Sequence, residues 1–131
     1  MPADSQASND RSQIGLPDAT DDQLKQLVKE TPWFAADQDV YRVAVAVAIA
    51  RDLQPKPNEP DMGYNTKFHV GAIDPDGKMK FLVSAFSPEH ADAPYRWVQR
   101  LANKGVLYLY SALIEKGLPI SEALGLPSRE E

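Results

Sequence analysis

The stretch NTKFHVGAIDPDGKMKFLVSAF, residues 65–86, decides how this chain is put together. Its middle, Asp74-Pro75-Asp76-Gly77, has the composition of a turn: proline presets one corner and glycine accepts the positive φ of the other. Apolar residues recur at alternate positions on both sides, so residues 65–73 and 78–86 read as the two strands of a β-hairpin. With Ile73 opposite Lys78, Ala72 meets Met79, Val70 meets Phe81 and Phe68 meets Val83, which gathers apolar side chains on one face. A shift of one residue would set apolar against polar positions, so the side-chain pattern selects a four-residue connection. This register predicts Phe81 in the core. It places Lys67, His69, Lys78 and Lys80 on the opposite face as a small basic patch, which is either a solvated sheet face or a ligand surface.

Downstream, after Ser87-Pro88, helical spacing runs from Tyr95, Trp97, Val98, Leu101 and Ala102 toward Leu113 and Ile114, and predicts one long helix covering the hairpin. Gly105 either bends it or allows a close approach, and Gly117-Leu118-Pro119 is a stop signal. Arg96, Arg100 and Lys104 repeat every four residues on its outer side, forming a basic stripe that is the better functional candidate of the two charged surfaces. A solvated helix face carries the same kind of pattern.

Upstream, residues 37–53 alternate Val43, Val45, Val47 and Ile49 with alanines. Period two suggests a strand, but the alanines, the length of the run and a capping Asp37 or Asp39 favour a helix. Being apolar nearly all round, that helix is expected to be central to the domain. Before it, Thr20 and Gln23 have capping-box spacing, so a shorter helix is expected from about Asp21. Leu24, Leu27 and Val28 form its apolar face, and it ends near Thr31 ahead of Pro32; Trp33 and Phe34 then dock it on the core. Pro55, Pro57 and Pro60 punctuate a polar loop that ends near Gly63.

The expected fold class is therefore α+β, a central apolar helix and a long C-terminal helix packed on a β-hairpin. A chain of 131 residues with 43% hydrophobic and 25% charged residues suits one domain with a core of its own. Residues 18–126 are assigned to that domain. Residues 1–17 are rich in Ser, Asp, Asn, Gln and Ala, with Ile14 and Leu16 as the larger apolar groups, and read as a disordered tail; residues 127–131 read as a frayed end. The absence of cysteine excludes disulfides and thiolate metal sites, and makes the cytoplasm the expected compartment. No apolar run is long enough for a membrane span, and no signal-peptide pattern opens the chain.

Few residues point to catalysis. His69 and His90 are the histidines, and Glu89-His90-Ala91-Asp92 resembles a metal cluster only superficially, because neighbours at a helix start point apart. No glycine-rich phosphate loop, Gly-x-Ser-x-Gly elbow or His-Glu-x-x-His pair occurs, so a non-enzymatic role without metal or cofactor is expected. The net charge of −5 gives no long-range attraction to phosphate backbones.

Residues 39–46, DVYRVAVA, and residues 100–109, RLANKGVLYL, resemble small proteins associated with bacterial DNA phosphorothioation (Dnd) systems. That resemblance implies a non-catalytic accessory component of a multi-protein antiphage defence system, working beside larger nucleases or ATPases. Larger protein subunits are thus the expected partners, and homo-oligomer formation is left open. The rival is a nucleic-acid-binding module that uses the hairpin lysines with the helical stripe; a small unorthodox hydrolase comes third.

Overall fold

A computed structural model of the chain describes residues 10–56 and 63–125. The expectations for residues 1–9, for the prolines of residues 57–62 and for residues 126–131 fall outside the described residues. Strand β1 (Gln13–Ile14) leads into helices α1 (Asp18–Glu30) and α2 (Asp37–Ala50). Strand β2 (Phe68–His69), the single turn α3 (Val70–Ile73) and helix α4 (Lys78–Phe86) follow. A 3-10 turn (Pro88–His90) precedes α5 (Pro94–Leu109), which continues through a π-helical stretch (Tyr110–Glu115) and is followed by α6 (Ile120–Ala123). The architecture is mostly helical with one small antiparallel sheet.

Helices α2 and α5 make the most extensive contact between elements. Its closest point is Gly105, where an added Cβ would lie 2.0 Å from the carbonyl oxygen of Ala44. The glycine thus serves close approach, and α5 runs on past it. α2 buries Val40, Tyr41, Ala44, Val45, Val47 and Ala48, whereas Ala46 and Ala50 reach the surface, so the helix is not enclosed on all sides. α1 starts three residues before the expected position, with Pro17 rather than Thr20 as its N-cap; Thr20 is buried instead. It ends as expected at Thr31, whose hydroxyl donates to the Leu27 carbonyl. Phe34 docks in the core, but Trp33 stays exposed.

The predicted hairpin is corrected. The turn at residues 74–77 forms, with Gly77 at φ +73°, but the segment after it is helix α4 and most of the segment before it is not strand. Asp74 decides this: its carboxylate accepts hydrogen bonds from the amides of Met79 (2.9 Å) and Lys80 (3.0 Å), two of the four donors a helix start leaves open. Met79 and Val83 are four residues apart, so one helical face satisfies the apolar positions that also fit a strand. Val83 is fully buried and Phe81, expected in the core, is 69% exposed. The α3 turn ends on Arg42 of α2, which donates from Nε to the Ile73 carbonyl (2.9 Å) and from Nη2 to that of Ala72 (3.1 Å).

The sheet is built from segments far apart in sequence: Gln13 pairs with His69 and Ile14 with Phe68. The assignment of residues 1–17 as a tail is accordingly corrected from Asp10 onward. Ile14 and Leu16 are completely buried. The Gly15 carbonyl accepts the buried Tyr41 hydroxyl (3.0 Å), its amide donates to Gln99 Oε1 (3.4 Å), and the Leu16 amide donates to Asn65 Oδ1 (3.1 Å). Asp10 caps α5 by accepting the amides of Tyr95 and Arg96, both at 3.1 Å. Two large apolar residues are too few to order a segment by themselves, but these polar anchors supply the backbone with partners wherever it leaves water.

Candidate interaction surface

α4 is nine residues long and buries only Val83 fully. Its outer side carries Phe81 (69% exposed), Leu82 (43%) and Phe86 (67%), with exposed Ala85 between them. Fully burying such a side chain is worth about 1.5–3 kcal/mol, so three left in water on one short helix are a marked departure from ordinary surface composition. The helix is held from its other side, through Met79, Val83 and the Asp74 cap.

Beside this face, α4 and α2 enclose an open groove of about 340 Å³. Val45, Ala46, Ile49, Ile73, Met79 and Leu82 supply its apolar lining, and Arg42, Asp76 and Lys78 stand among the polar lining residues. Arg42 is fixed by the α3 carbonyls and lies 3.8 Å from Asp39. Leu82 belongs to both the groove and the exposed face, so the two form one continuous apolar surface. The sequence signal for it was the i, i+1, i+4, i+5 spacing of Phe81, Leu82, Ala85 and Phe86, which marks a helix face as soon as residues 78–86 are read as helix.

The cations expected to share a hairpin face are separated. Lys67 turns inward, with Nζ 3.1 Å from Asp21 and 2.8 Å from Asp37. Burial lowers its pKa, but the hydrogen bonds and charges of Asp37 and Asp21 outweigh that and leave it above the ordinary lysine value. It ties α1 and α2 to the segment before β2. His69 is exposed on β2. Lys78 lies 3.6 Å from Asp76 at the groove, whereas Lys80 borders a different recess with Asp10, Arg11, Asp92 and Tyr95. Two residues apart on a helix, these lysines cannot share a face.

Of the stripe on α5, Arg96 is exposed while Arg100 and Lys104 are partly buried. Arg96 and Arg100 line a recess of about 190 Å³ with Glu89, His90, Asp92 and Trp97, so carboxylates accompany the guanidinium groups. Arg100 also sits 5.9 Å from the Trp97 ring centroid. His90 stacks on Trp97 at 3.6 Å and 10°, a packing role that accounts for the residue between Glu89 and Asp92. Among the described residues, no three His, Asp or Glu side chains converge on a metal position.

The polar centre nearest α4 is Tyr95. Its hydroxyl donates to Asp74 Oδ2 at 2.8 Å and its backbone amide donates to Asp10. Burial, then the Asp74 hydrogen bond and the charges of Asp74 and Asp10, push the phenol far above its ordinary pKa, so it stays protonated and serves as a donor. Tyr41 is likewise held protonated, first by burial and then by Tyr64. Among the described residues, no helix is long and apolar enough to cross a membrane. Compared with family models, with curated proteins and with solved structures, the chain matches none.

Proposed function

We propose that this protein is a non-catalytic protein-interaction subunit that docks a larger partner protein on the apolar surface formed by α4 and the α2–α4 groove. The observation that carries the reading is the exposure of Phe81, Leu82 and Phe86 beside a groove lined by Val45, Ala46 and Ile49. A contiguous apolar surface of this kind marks an interaction site in a soluble domain. Its aromatic content suits the buried centre of an interface, and the Arg42, Asp76 and Lys78 side chains suit its rim. The setting in a multi-protein antiphage defence system is part of the proposal and rests on the resemblance carried by residues 39–46 and 100–109. The nucleic-acid reading has less support, since its cations lie on separate surfaces and several face carboxylates.

A photo-crosslinking residue at Ala46, inside the groove, tests this in the producing cell, with Lys116 on the exposed end of the π-helical stretch as control. A discrete adduct with one larger protein is expected from position 46 alone. Equal, diffuse labelling from both positions would overturn the proposal.

A further inference from the structure

Asp76-Gly77 is the one Asp-Gly pair in the chain, and there is no Asn-Gly. The pair matters chemically because the backbone nitrogen of the residue after an aspartate can reach the carboxyl carbon and close a five-membered ring. That needs a following residue with no side chain in the way and a backbone free to turn. Gly77 meets both conditions: it lies between α3 and α4 at φ +73°, and nothing stands within 4 Å of where a Cβ would be. The Asp76 side chain is 60% exposed and folds back along the turn, its Oδ1 accepting the Lys78 amide at 3.3 Å and its Oδ2 lying 3.6 Å from Lys78 Nζ. The carboxyl group thus lies across the Gly77 peptide, beside the nitrogen that would attack. That amide is held by the Asp74 carbonyl at a long 3.2 Å. Other aspartates are placed differently. Asp74 is followed by Pro75, which has no N–H to lose. Asp52 is followed by Leu53, whose amide is bound to the Ala48 carbonyl at 2.8 Å, and Asp92 by Ala93, whose methyl group hinders the approach.

From this geometry we propose that Asp76 is a site of spontaneous isoaspartate formation, and that the change releases α4 from its cap. The Gly77 nitrogen bonds to Cγ of the protonated Asp76 carboxyl group; the amide proton and the carboxyl O–H leave together as water, and a succinimide remains. Water then adds at one of the two ring carbonyls. Breaking the N–Cγ bond restores aspartate. Breaking the bond from nitrogen to the main-chain carbonyl carbon leaves Gly77 joined through Cβ and Cγ, with the former main-chain carbonyl now a free carboxylate. Nothing is oxidised or reduced, and an oxygen from solvent stays in either product. The isoaspartyl linkage inserts an extra main-chain atom into the turn whose length sets the reach of the Asp74 carboxylate to the Met79 and Lys80 amides. Those two donors lose their acceptor, and α4, which buries only Val83 fully, opens from its first turn. Asp76 also lines the α2–α4 groove, so the same event reshapes the groove's rim. None of this depends on what occupies the groove.

The full chain, held for weeks at neutral pH and physiological temperature in water enriched in heavy oxygen, should take up labelled oxygen in the peptide that contains residue 76. An isoaspartyl carboxyl methyltransferase supplied with labelled S-adenosylmethionine should then methylate that peptide and leave the peptide containing Asp92 unmodified. Asp76→Glu lengthens the side chain past the five-membered ring and should abolish both signals without moving the melting temperature, since residue 76 is exposed. In the aged chain the Met79 and Lys80 amides should lose most of their hydrogen-exchange protection, while the amides of α2 keep theirs. Absence of label at residue 76, equal labelling at Asp92, or methylation that survives Asp76→Glu overturns the site. Isoaspartate at residue 76 with the Met79 and Lys80 amides still protected overturns the release of α4. A groove adduct from position 46 of freshly made chain bears on the docking reading alone.

Discussion

Residues 10–17 and helix α4 are both short, and they are held in opposite ways. The first segment buries Ile14 and Leu16 completely and is bonded to Tyr41, Asn65, Tyr95 and Gln99, residues on three separate parts of the chain. The second leaves Phe81, Leu82 and Phe86 in water and is seated by one carboxylate, Asp74, the buried Val83 and the partly buried Met79. Where a segment's backbone finds its hydrogen-bond partners, rather than how many apolar residues it has, separates the part that completes the core from the part that is offered outward.

The sharpest test of that contrast is Ile14→Ala, which should cost about 2–5 kcal/mol in chemical denaturation, as befits a large-to-small change in a filled site. Gly15→Ala follows at about 1–3 kcal/mol, because the new Cβ would fall 1.9 Å from Asn65 Oδ1 and 2.3 Å from its carbonyl oxygen, and the latter cannot swing away. A neutral result for either would mean that residues 10–17 are not seated between β2 and α5.

Tyr95 touches both regions, through Asp10 and through Asp74, and its effect is pH-dependent. The folded state holds its phenol protonated above the ordinary value near 10, so that share of stability is full below pH about 10 and is lost as the pH climbs toward the folded-state pKa. Tyr95→Phe should cost about 1 kcal/mol at neutral pH and make the alkaline decline shallower. An unchanged alkaline profile would remove Tyr95 as the link. Phe81→Ala lies at the small end: it should shift stability by no more than about 0.5 kcal/mol, since the side chain is 69% exposed. A loss of several kcal/mol would return Phe81 to the core. Smallest of all, replacing Arg96, Arg100 and Lys104 with glutamine should leave the salt dependence of any weak DNA binding unchanged; a slope flattened by about 0.9 per residue would instead establish phosphate contacts there.

Much of the helical framework was legible. Leu24 and Leu27 in α1, the alanine-rich α2 and the Trp97-to-Leu113 spacing of α5 have the helical period in their own sequence, and Pro32 and Gly117 mark stops that local chemistry enforces. Residues 78–86 were misread because Met79, Phe81, Val83 and Ala85 alternate, while the feature that selects helix, the Asp74 carboxylate reaching two amides five and six residues ahead, leaves no periodic trace. The basic patch failed with the hairpin that defined it. Lys67 could not have been recognised as an interior ion-pair partner, since Asp21 and Asp37 lie 46 and 30 residues away by number. The role of residues 10–17 was hidden for the same reason: its anchors are distant in the chain, and the segment itself has little to declare.

That distance has a consequence for how the chain is made. Gly15 waits for Gln99, 84 residues later, and Asp10 for Tyr95, 85 residues later. At about 5–20 residues per second, a ribosome holds this segment without its partners for roughly 4–17 s. During that interval Ile14 and Leu16 are exposed, and the neighbouring Asp10, Arg11 and Ser12 keep them in a polar context. The first described residues to leave the ribosome are among the last to be seated.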